Sequence, residues 1–382
     1  PSITMLDSPA GLNSLFSPIE AASYPTEVVV ASTWNDELAY ALGESVGTEA
    51  NAYGIEVWYA PGMNLHRTAL GGRDFEYFSE DPLLTGKMAA AMVSGSQDQG
   101  VLTTIKHFVL NDQEVNARSG INVFVSEQAL RELYLQPFEI AVKESDPWTV
   151  MCSYNKINGE HADVSRDLLT DTLRDDWGFD GLVMSDWFAT SDRALAICAG
   201  LDLEMPGTGG TWDGEIAEAH AKGLLTTAEL DLAATRVVDL ALRAQNDEGM
   251  SQVDPEAHHQ LARRAAAAGT VLLTNNGILP LERTGTISVI GAFAKKPRYQ
   301  GAGSSLVNPT QLDTFLAALR TAVGDDATIT YAQGYDATTG ATEDALLDEV
   351  REHAAAADVV IVLAGLPNLY ESEGFDRKHL RL

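Results

Sequence analysis

Five apolar runs in the N-terminal half of the chain are each followed by polar side chains that can bind a ligand or move a proton. In chain order these side chains are Asp7, Arg73, the pair Lys106 and His107, Tyr154, and the pair Asp186 and Trp187. Any one of them alone is more often structural: a capping Asp, a salt-bridged Arg or a core aromatic. If the runs are parallel strands of one barrel, their carboxyl ends share a face, and the residues together predict a single site.

The residue types indicate a ligand that combines hydroxyl groups with an apolar face. Asp, Arg, Lys, His and Tyr supply directed hydrogen bonds, and the indole of Trp187 supplies a flat surface on which C–H groups can lie. Sugars require both. The sequence has no Gly-rich phosphate loop and no His, Cys and carboxylate cluster at metal-binding spacing. We therefore expect a sugar-like ligand and no cofactor.

The apolar runs alternate with amphipathic, helix-like segments that begin at the capping residues Asn35, Ser126 and Ser165. This alternation, with strands that are apolar throughout, is typical of a parallel sheet buried on both faces. About seven such units before residue 245 predict an α/β fold of the (β/α) barrel type. The predicted strands span residues 3–6, 27–32, 55–60, 102–106, 149–154, 181–185 and 201–205.

A second α/β region follows the barrel. A long helix with a Thr226 and Glu229 capping box ends near residue 245, where a polar, acidic stretch marks a boundary. We divide the chain into a barrel, a linker with a linking helix, and an incomplete α/β sandwich, at residues 1–245, 246–268 and 269–382. The sandwich has three predicted strands, at residues 286–291, 328–334 and 358–365, with helices at 311–323 and 342–357.

A sheet of three strands leaves free edges and an uncovered apolar face. We therefore expect the chain to be a fragment whose partner is the remaining C-terminal part of the same gene product.

The charge of the chain argues against two classes of partner. With 25 basic and 55 acidic residues, the net charge is −30, which opposes binding to nucleic acid or to anionic membranes. No apolar run reaches the about 18 residues that span a bilayer. The opening "PSITMLDSPAG" contains no basic-then-apolar leader, which leaves a cytoplasmic and a secreted location equally open. The oligomeric state is also left open.

Long motifs identify a family resemblance. The chain resembles family 3 glycoside hydrolases, most closely their β-glucosidase branch. The motifs run in family order from residue 3 to the C-terminus: "GGRDFEYFSEDPLLTG", "KHFVLNDQE", "MCSYNKINGE", "DDWGFDGLVMSDW", "AGLDLEMPG", "VLLTNNGILPL", "RYQGAGSS" and "ESEGFDR". The resemblance implies a (β/α)8-type TIM barrel followed by an α/β sandwich. It also implies a retaining, exo-acting β-glycosidase that needs no cofactor and acts on small glycosides or oligosaccharides. A β-glucosidase is favoured, with a β-xylosidase or another family specificity as the alternative.

The resemblance also implies roles for individual residues. Asp186 matches the family nucleophile, and Glu373 matches the acid/base. Glu371 is a competing assignment that strand-like alternation would point to the opposite face. The residues that match sugar-binding positions are Asp7, Arg73, Lys106, His107, Arg118, Tyr154, Trp187 and Ser304. Retaining enzymes place the two carboxyl groups ~5–5.5 Å apart. We expect Asp186 to stay ionised beside Lys106, and burial to raise the pKa of Glu373.

The sequence departs from the family pattern at three positions near these motifs. Asn13 stands where a site Arg is common, which removes any charge contact made there. The segment before Arg118 is one residue longer than usual, which makes Arg118 the least secure member of the set. Phe188 replaces the Gly that usually follows the Trp, and its ring could line the leaving-group side.

Two other interpretations use the same residues. Lys106 at a strand end could form a Schiff base in a barrel aldolase, which would leave the motifs around Asp186 and Glu373 without a role. Alternatively, the chain could be an inactive carbohydrate-binding fragment if its missing part is never supplied.

Overall fold

The computed structural model describes residues 2–14, 19–115, 118–245 and 251–381. The strands in chain order are β1 Met5–Asp7, β2 Val57–Tyr59, β3 Leu102–Phe108, β4 Asn122–Val123, β5 Thr149–Cys152, β6 Lys156–Ile157, β7 Glu160–His161, β8 Leu182–Met184, β9 Gly285–Ile290, β10 Ala327–Ala332 and β11 Val359–Val362. The α-helices in chain order are α1 Glu27–Ala31, α2 Asp36–Ala52, α3 Pro82–Gln97, α4 Glu127–Ala129, α5 Gln136–Ser145, α6 Arg193–Ala199, α7 Asp213–Ala221, α8 Thr227–Arg243, α9 Pro255–Ala268, α10 Phe315–Val323 and α11 Asp344–Ala355. π-helical turns cover Leu130–Tyr134 and Asp167–Asp176.

The N-terminal sheet is parallel, in the order β1-β2-β3-β5-β8. A parallel bridge from Met184 to Leu203 continues it by one step. One apolar cluster joins Met5 on the first strand, Met184 on the last strand, Leu203 beyond it, and Leu240 of α8. Because side chains from the first and the last strand of the sheet pack against each other, the sheet curls into a barrel. The predicted TIM-barrel-like fold is therefore confirmed.

Two of the predicted barrel strands are wrong. Residues 27–32 form the short helix α1 rather than a strand, and residues 201–205 contribute only the bridge at Leu203. A short apolar run such as "EVVVAS" is compatible with either state, and tertiary contacts decide between them. In α1 the Glu27 side chain is buried and accepts a hydrogen bond from the Gly62 N–H. The described part of the barrel sheet therefore has five strands instead of the seven expected.

The predicted helix starts agree closely with the structure. Asn35 caps α2 by accepting from the Leu38 N–H, and Ser126 caps α4 by accepting from the Ala129 N–H. The capping box of α8 is complete, with Thr226 and Glu229 each bonded to the other's backbone N–H. The segment after Ser165 differs, because it is π-helical and starts at Asp167.

The second domain is built on a parallel sheet of order β10-β9-β11, whose three strands overlap the three predicted ones. Helix α10 connects β9 to β10 along the chain, and helix α11 connects β10 to β11. On β11 the side chains of Val360 and Val362 are exposed. The domain boundaries themselves stay a prediction. The helix α9 lies within the proposed linking segment and contacts the barrel, where His258 Nδ1 lies 2.7 Å from Glu49 Oε1.

Among the described residues, no helix is both long enough and apolar enough to cross a membrane.

Candidate active site

Asp186 follows β8 at the carboxyl end of the barrel and is 8% exposed. Its Oδ1 accepts hydrogen bonds from the Tyr154 hydroxyl at 2.9 Å and from the Trp187 N–H at 2.6 Å. Within the described ranges its Oδ2 has no hydrogen-bond partner, and the His107 Nε2 lies 3.5 Å from it. The carboxylate is thus held through Oδ1, while the buried Oδ2 accepts no hydrogen bond from the described residues.

Lys106 and His107 reach the same site although they are consecutive on β3. In a regular strand, adjacent side chains point to opposite faces. The pairing of β3 with β5 shifts register here, because Lys106 pairs with Met151 while Phe108 pairs with Cys152, the next residue. Such a bulge re-aims a side chain, which is how both residues of the pair approach Asp186 and Asp7.

A continuous series of alternating charges connects the barrel to the second domain, and we call it the charge chain. Successive N···O distances along it are 2.6, 3.4, 2.7, 3.9, 2.8 and 3.4 Å. Its members, in order, are Asp7, Lys106, Glu76, Arg73, Glu373, Arg118 and Glu114. Because each buried charge has neighbours of opposite sign, the cost of removing these groups from water is offset.

The charge chain sets the protonation of its cations. Burial lowers the pKa of Lys106, but Asp7 and Glu76 outweigh burial and raise it above its usual value. Lys106 is therefore a protonated donor. His107 behaves in the opposite way, because burial and the cations Arg73 and Lys106 lower its pKa well below the usual value. The imidazole facing Asp186 is neutral.

Glu373 lies in the turn after β11, in the second domain, and faces the barrel. Its Oε1 accepts from Arg118 Nη1 at 2.8 Å, and its Oε2 accepts from the Ser304 N–H at 2.8 Å. Arg73 Nη1 lies 3.9 Å from Oε1 and has no hydrogen-bond partner among the described residues. The two predicted carboxylates are connected through two side chains, because the Arg118 guanidinium also lies 4.4 Å from the centre of the Tyr154 ring, whose hydroxyl donates to Asp186.

The expectation that the pKa of Glu373 is raised is wrong. Burial does raise it, as expected, but Arg73, the Ser304 N–H and Arg118 together outweigh burial and hold the pKa well below its usual value. The expectation considered burial alone, and the cations come from segments distant in the sequence. For Asp186, burial raises the pKa to about 6 against the opposing effects of Arg73, the Trp187 N–H, Lys106 and Arg118. Asp186 is therefore ionised at neutral pH, as expected.

Trp187 is partly buried and packs edge-to-face against Tyr59, with ring centroids 6.1 Å apart. It belongs in part to the barrel interior, and its remaining surface is available to a ligand. Phe188 is 76% exposed at φ +60°, a left-handed conformation that is unusual for a bulky residue. Its N–H donates to the Met205 carbonyl at 2.9 Å, which fixes the backbone and leaves the exposed ring two residues beyond Asp186.

Ser304 and Asn13 lie together between the two domains. The Asn13 Nδ2 donates to the Ser304 carbonyl at 2.8 Å, so the position where an Arg is common here contacts the second domain through an amide. Ser304 itself touches Glu373 through its backbone N–H. All ten predicted site residues thus lie in one connected group, including Arg118, the least secure of them.

Several residues that hydrogen-bond to the site residues and hold them in place were not predicted from the sequence. Glu76 accepts from both Arg73 Nε and Arg73 Nη2 at 2.7 Å, and lies 3.4 Å from Lys106. Its place three residues after Arg73 in "GGRDFEYF" was an available signal. Glu114 and Asp376 link the barrel to the turn that carries Glu373. Both lie in the quoted motifs, but nothing local in the sequence indicates their contacts. No metal-binding cluster of His, Cys, Asp or Glu occurs in the parts of the chain that the structure describes.

Comparison with known proteins identifies the family of the chain. Residues 1–240 match the glycosyl hydrolase family 3 N terminal domain, and residues 270–382 match the glycosyl hydrolase family 3 C-terminal domain. The chain belongs to glycosyl hydrolase family 3. The β-glucosidase branch indicated by the motifs is also the branch named among its relatives.

Three family 3 proteins illustrate the likeness. The thermostable β-glucosidase B of Acetivibrio thermocellus is 43% identical over 393 residues, which cover 100% of this chain and 52% of that protein. The exo-α-(1→6)-L-arabinopyranosidase of Bifidobacterium longum is 42% identical over 388 residues, 98% of this chain and 50% of that protein. The structure of β-glucosidase 3B from Thermotoga neapolitana in complex with glucose superposes with a TM-score of 0.88 at 34% identity, covering 100% of this chain and 57% of that chain. The chain thus spans about half the length of the family 3 relatives it matches.

Proposed function

We propose that this family 3 chain carries the active site of a retaining, exo-acting β-glycosidase, most closely a β-glucosidase. The observation that carries the proposal is the arrangement of its two carboxylates. Asp186 and Glu373 come from different domains, yet both contact the Arg118 and Tyr154 pair, directly or through one hydrogen bond. A site with two carboxylates and many hydrogen-bond donors suits glycosyl transfer to water.

In the proposed first step, Asp186 Oδ2 attacks the anomeric carbon of a terminal sugar. The bond from that carbon to the leaving oxygen breaks, and Glu373 gives its proton to this oxygen. In the second step, Glu373 takes a proton from water, whose oxygen attacks the same carbon and releases the Asp186 carboxylate. The hydrogen bonds at Oδ1 leave Oδ2 free to form the covalent bond.

Glu373 must be protonated before it can act as the acid, and Arg73, the Ser304 N–H and Arg118 all oppose this by lowering its pKa. We therefore propose that the leaving oxygen of the bound glycoside takes the place of Arg118 at Glu373 Oε1. The change would remove one stabilising contact from the carboxylate and raise its pKa. Glu114, 3.4 Å from Arg118 Nη1, is a second carboxylate that can hold the displaced guanidinium.

The proposed sugar is glucose, bound by Asp7, Lys106 and Arg73 through its hydroxyl groups. The names of the Acetivibrio and Thermotoga relatives, and the glucose in the Thermotoga structure, support this choice. The Bifidobacterium relative, at similar identity, is named for a pentopyranose that lacks the hydroxymethyl group of glucose, which makes L-arabinopyranose the second candidate.

A panel of aryl glycosides tests both levels of the proposal. We expect the highest kcat/KM with the β-D-glucoside, and lower values with the β-D-xyloside and the α-L-arabinopyranoside. A preference for the arabinopyranoside or xyloside would replace the sugar and keep the mechanism. Failure to hydrolyse any aryl glycoside, by this chain and by the full-length gene product, would refute the glycosidase proposal.

The Schiff-base alternative is disfavoured by the protonation of Lys106. A lysine nucleophile requires a lowered pKa, and Asp7 and Glu76 raise it instead. We expect borohydride to trap no adduct of Lys106 with a carbonyl compound.

The proposed partner of the chain is the remainder of a longer gene product. A run of apolar side chains before β9 is exposed, and Leu273 is 89% exposed. The other exposed members are Val271, Leu272, Ile278 and Leu279. An apolar surface of this kind is commonly buried against another part of a protein. Its cover can be tested by comparing the unfolding midpoint and activity of this chain with those of the full-length product. Equal unfolding midpoints would exclude a stabilising contribution from the remainder. Equal activities, with both proteins active, would exclude the interpretation of this chain as an inactive fragment.

A further inference from the structure

The side chain of Glu373 stands on a tight turn whose shape is set by its neighbours. Ser372 and Phe375 form an antiparallel bridge, and Gly374 between them has a φ of +101°. That backbone conformation favours glycine. The turn makes hydrogen bonds to the barrel, so the position of Glu373 relative to Asp186 depends on what holds the turn there.

Asp376 provides the attachment from the side of the second domain. Its Oδ1 accepts hydrogen bonds from the Gly72 N–H at 2.9 Å and from the Glu114 N–H at 3.0 Å, and its Oδ2 lies 3.1 Å from the same Glu114 nitrogen. Both donors are barrel backbone groups. Hydrogen bonds to an ionised carboxylate are stronger than those between neutral groups.

Glu114 provides the attachment from the side of the barrel. Its Oε2 accepts from the Gly374 N–H at 2.8 Å, which is the peptide group immediately after Glu373. Glu114 is 2% exposed, so its orientation is fixed by its surroundings. Each side of the interface therefore offers a carboxylate to the backbone of the other side, and we call this pair of contacts the carboxylate clasp.

The backbones approach so closely at the clasp that no side chain fits between them. A Cβ placed on Gly72 would come within 1.9 Å of the Phe375 carbonyl oxygen and 2.7 Å of the Ser372 carbonyl oxygen. The Arg377 N–H donates to the Leu70 carbonyl at 2.8 Å on the same strip of barrel. The turn thus lies directly on residues 70–72, and a small movement would displace Glu373 relative to Asp186.

We propose that Asp376 and Glu114 are positioning residues that hold the Glu373 turn in its working place on the barrel. The proposal rests on the function proposed for Glu373. It differs from a general role in stability, because the clasp contacts only the turn and the barrel loops beneath it. Loss of the clasp should therefore impair proton transfer to the leaving group and leave the attack by Asp186 intact.

The test uses the full chain with Asp376→Ala and a matched control in the same loop. Glu371→Ala is the control, since Glu371 pairs with Arg298 of its own domain at 3.1 Å and, within the described ranges, makes no hydrogen bond or ion pair with Asp186 or with the clasp. We expect Asp376→Ala to lower kcat/KM on cellobiose by about 10²-fold, a typical contribution of general acid catalysis. A dinitrophenyl glucoside releases dinitrophenolate, which needs no protonation, so the loss of kcat/KM on this substrate should be less than about tenfold. Glu371→Ala should change the two substrates equally and little.

Two further measurements separate the clasp from the proposed activity. Labelling of Asp186 by a 2-deoxy-2-fluoro glucoside should proceed in Asp376→Ala at close to the wild-type rate. Amide hydrogen exchange, which needs no activity, should accelerate in segments 70–74 and 372–377 of Asp376→Ala and not in Glu371→Ala. Asp376→Asn retains one acceptor oxygen and should fall between the wild type and Asp376→Ala in both respects.

Equal losses on both substrates with a lowered unfolding midpoint would overturn the proposal, because they indicate a structural role alone. Unchanged kinetics and unchanged exchange would overturn it as well. A wild-type chain that neither hydrolyses nor labels would refute the proposed function, and the exchange result would still decide whether the clasp holds the turn.

Discussion

Arg118 of the barrel and Glu373 of the second domain are joined by a hydrogen bond of 2.8 Å between Nη1 and Oε1, although 255 positions separate them in the sequence. The same guanidinium lies over the Tyr154 ring, whose hydroxyl holds Asp186. One cation therefore contacts the candidate acid/base directly and the candidate nucleophile through a single side chain.

Asp186→Asn should fold normally and lose turnover by about six orders of magnitude, the scale on which removal of a nucleophile acts. The amide keeps the shape of the side chain but cannot form the glycosyl ester. A 2-deoxy-2-fluoro glucoside should label the wild-type peptide that contains "VMSDW". Mass spectrometry of the labelled digest checks this, and a label on any other residue would identify a different nucleophile.

The rate of that labelling should increase with pH and reach half of its maximum near pH 6. Burial raises the pKa of Asp186 to about 6, and only the ionised carboxylate attacks. A dinitrophenyl leaving group removes the need for acid catalysis, so the profile reports Asp186 alone. The same limb should appear in Glu373→Ala. A rate that is constant down to pH 4 would show that the carboxylate is ionised more easily than its burial indicates.

Arg118→Met should raise the pKa of the Glu373 carboxyl group. The cation stabilises the ionised form through its hydrogen bond and its charge, and its removal leaves burial less opposed. NMR titration of the Glu373 carboxyl carbon measures the shift directly. Arg298→Met is the matched control, since Arg298 pairs with Glu371 instead. A titration of Glu373 that is the same in both variants would mean that Arg118 does not control it.

Glu373→Ala should lose cellobiose hydrolysis by about 10²- to 10⁴-fold, the range for general acid–base catalysis. It should retain far more of the glycosylation rate on a dinitrophenyl glucoside, because the dinitrophenolate group leaves without a proton. The glycosyl intermediate then waits for a base, and added azide should accept the sugar and restore turnover. Detection of glucosyl azide checks the result.

Glu371→Ala should show neither behaviour, because Glu371 faces Arg298. Azide rescue of Glu371→Ala in place of Glu373→Ala would assign the acid to the other carboxylate of the loop, and rescue of neither would place the acid elsewhere.

Trp187→Ala should raise KM by about tenfold, equivalent to about 1.4 kcal/mol of binding. The partly buried indole offers its remaining face to the sugar while one edge packs on Tyr59. Loss of the contact between the Trp187 and Tyr59 rings should lower the free energy of unfolding by about 0.5–1.5 kcal/mol, in addition to the effect of the lost buried area. Denaturant unfolding and steady-state kinetics, measured together, distinguish the roles. A large fall in the unfolding midpoint with an unchanged KM would make Trp187 a core residue only.

The sequence predicted most reliably what local pattern determines. Asp186, Lys106 and His107 were predicted because they follow or close apolar runs in the sequence, and the capping box of α8 because its two residues are three apart. Helix α1 was missed because a short valine run does not favour a helix over a strand without its tertiary contacts. Glu373 and Arg118 were found through motif resemblance. The low pKa of Glu373 was beyond reach, because it depends on Arg73 and Arg118 meeting it across the two domains.

The charge chain constrains how this site can be altered. Neutralising an inner member leaves its two neighbours of like charge without the ion between them. Without Arg73, for example, the carboxylates of Glu76 and Glu373 repel each other with no cation between them. A single change therefore carries a penalty at two neighbours, and changes of sign would have to occur in pairs. Asn13 and Phe188 are uncharged and stand outside the chain of ion pairs, at the interface and at the rim. New sugar or aglycone preferences are therefore more accessible through these two positions than through the residues that carry the charges.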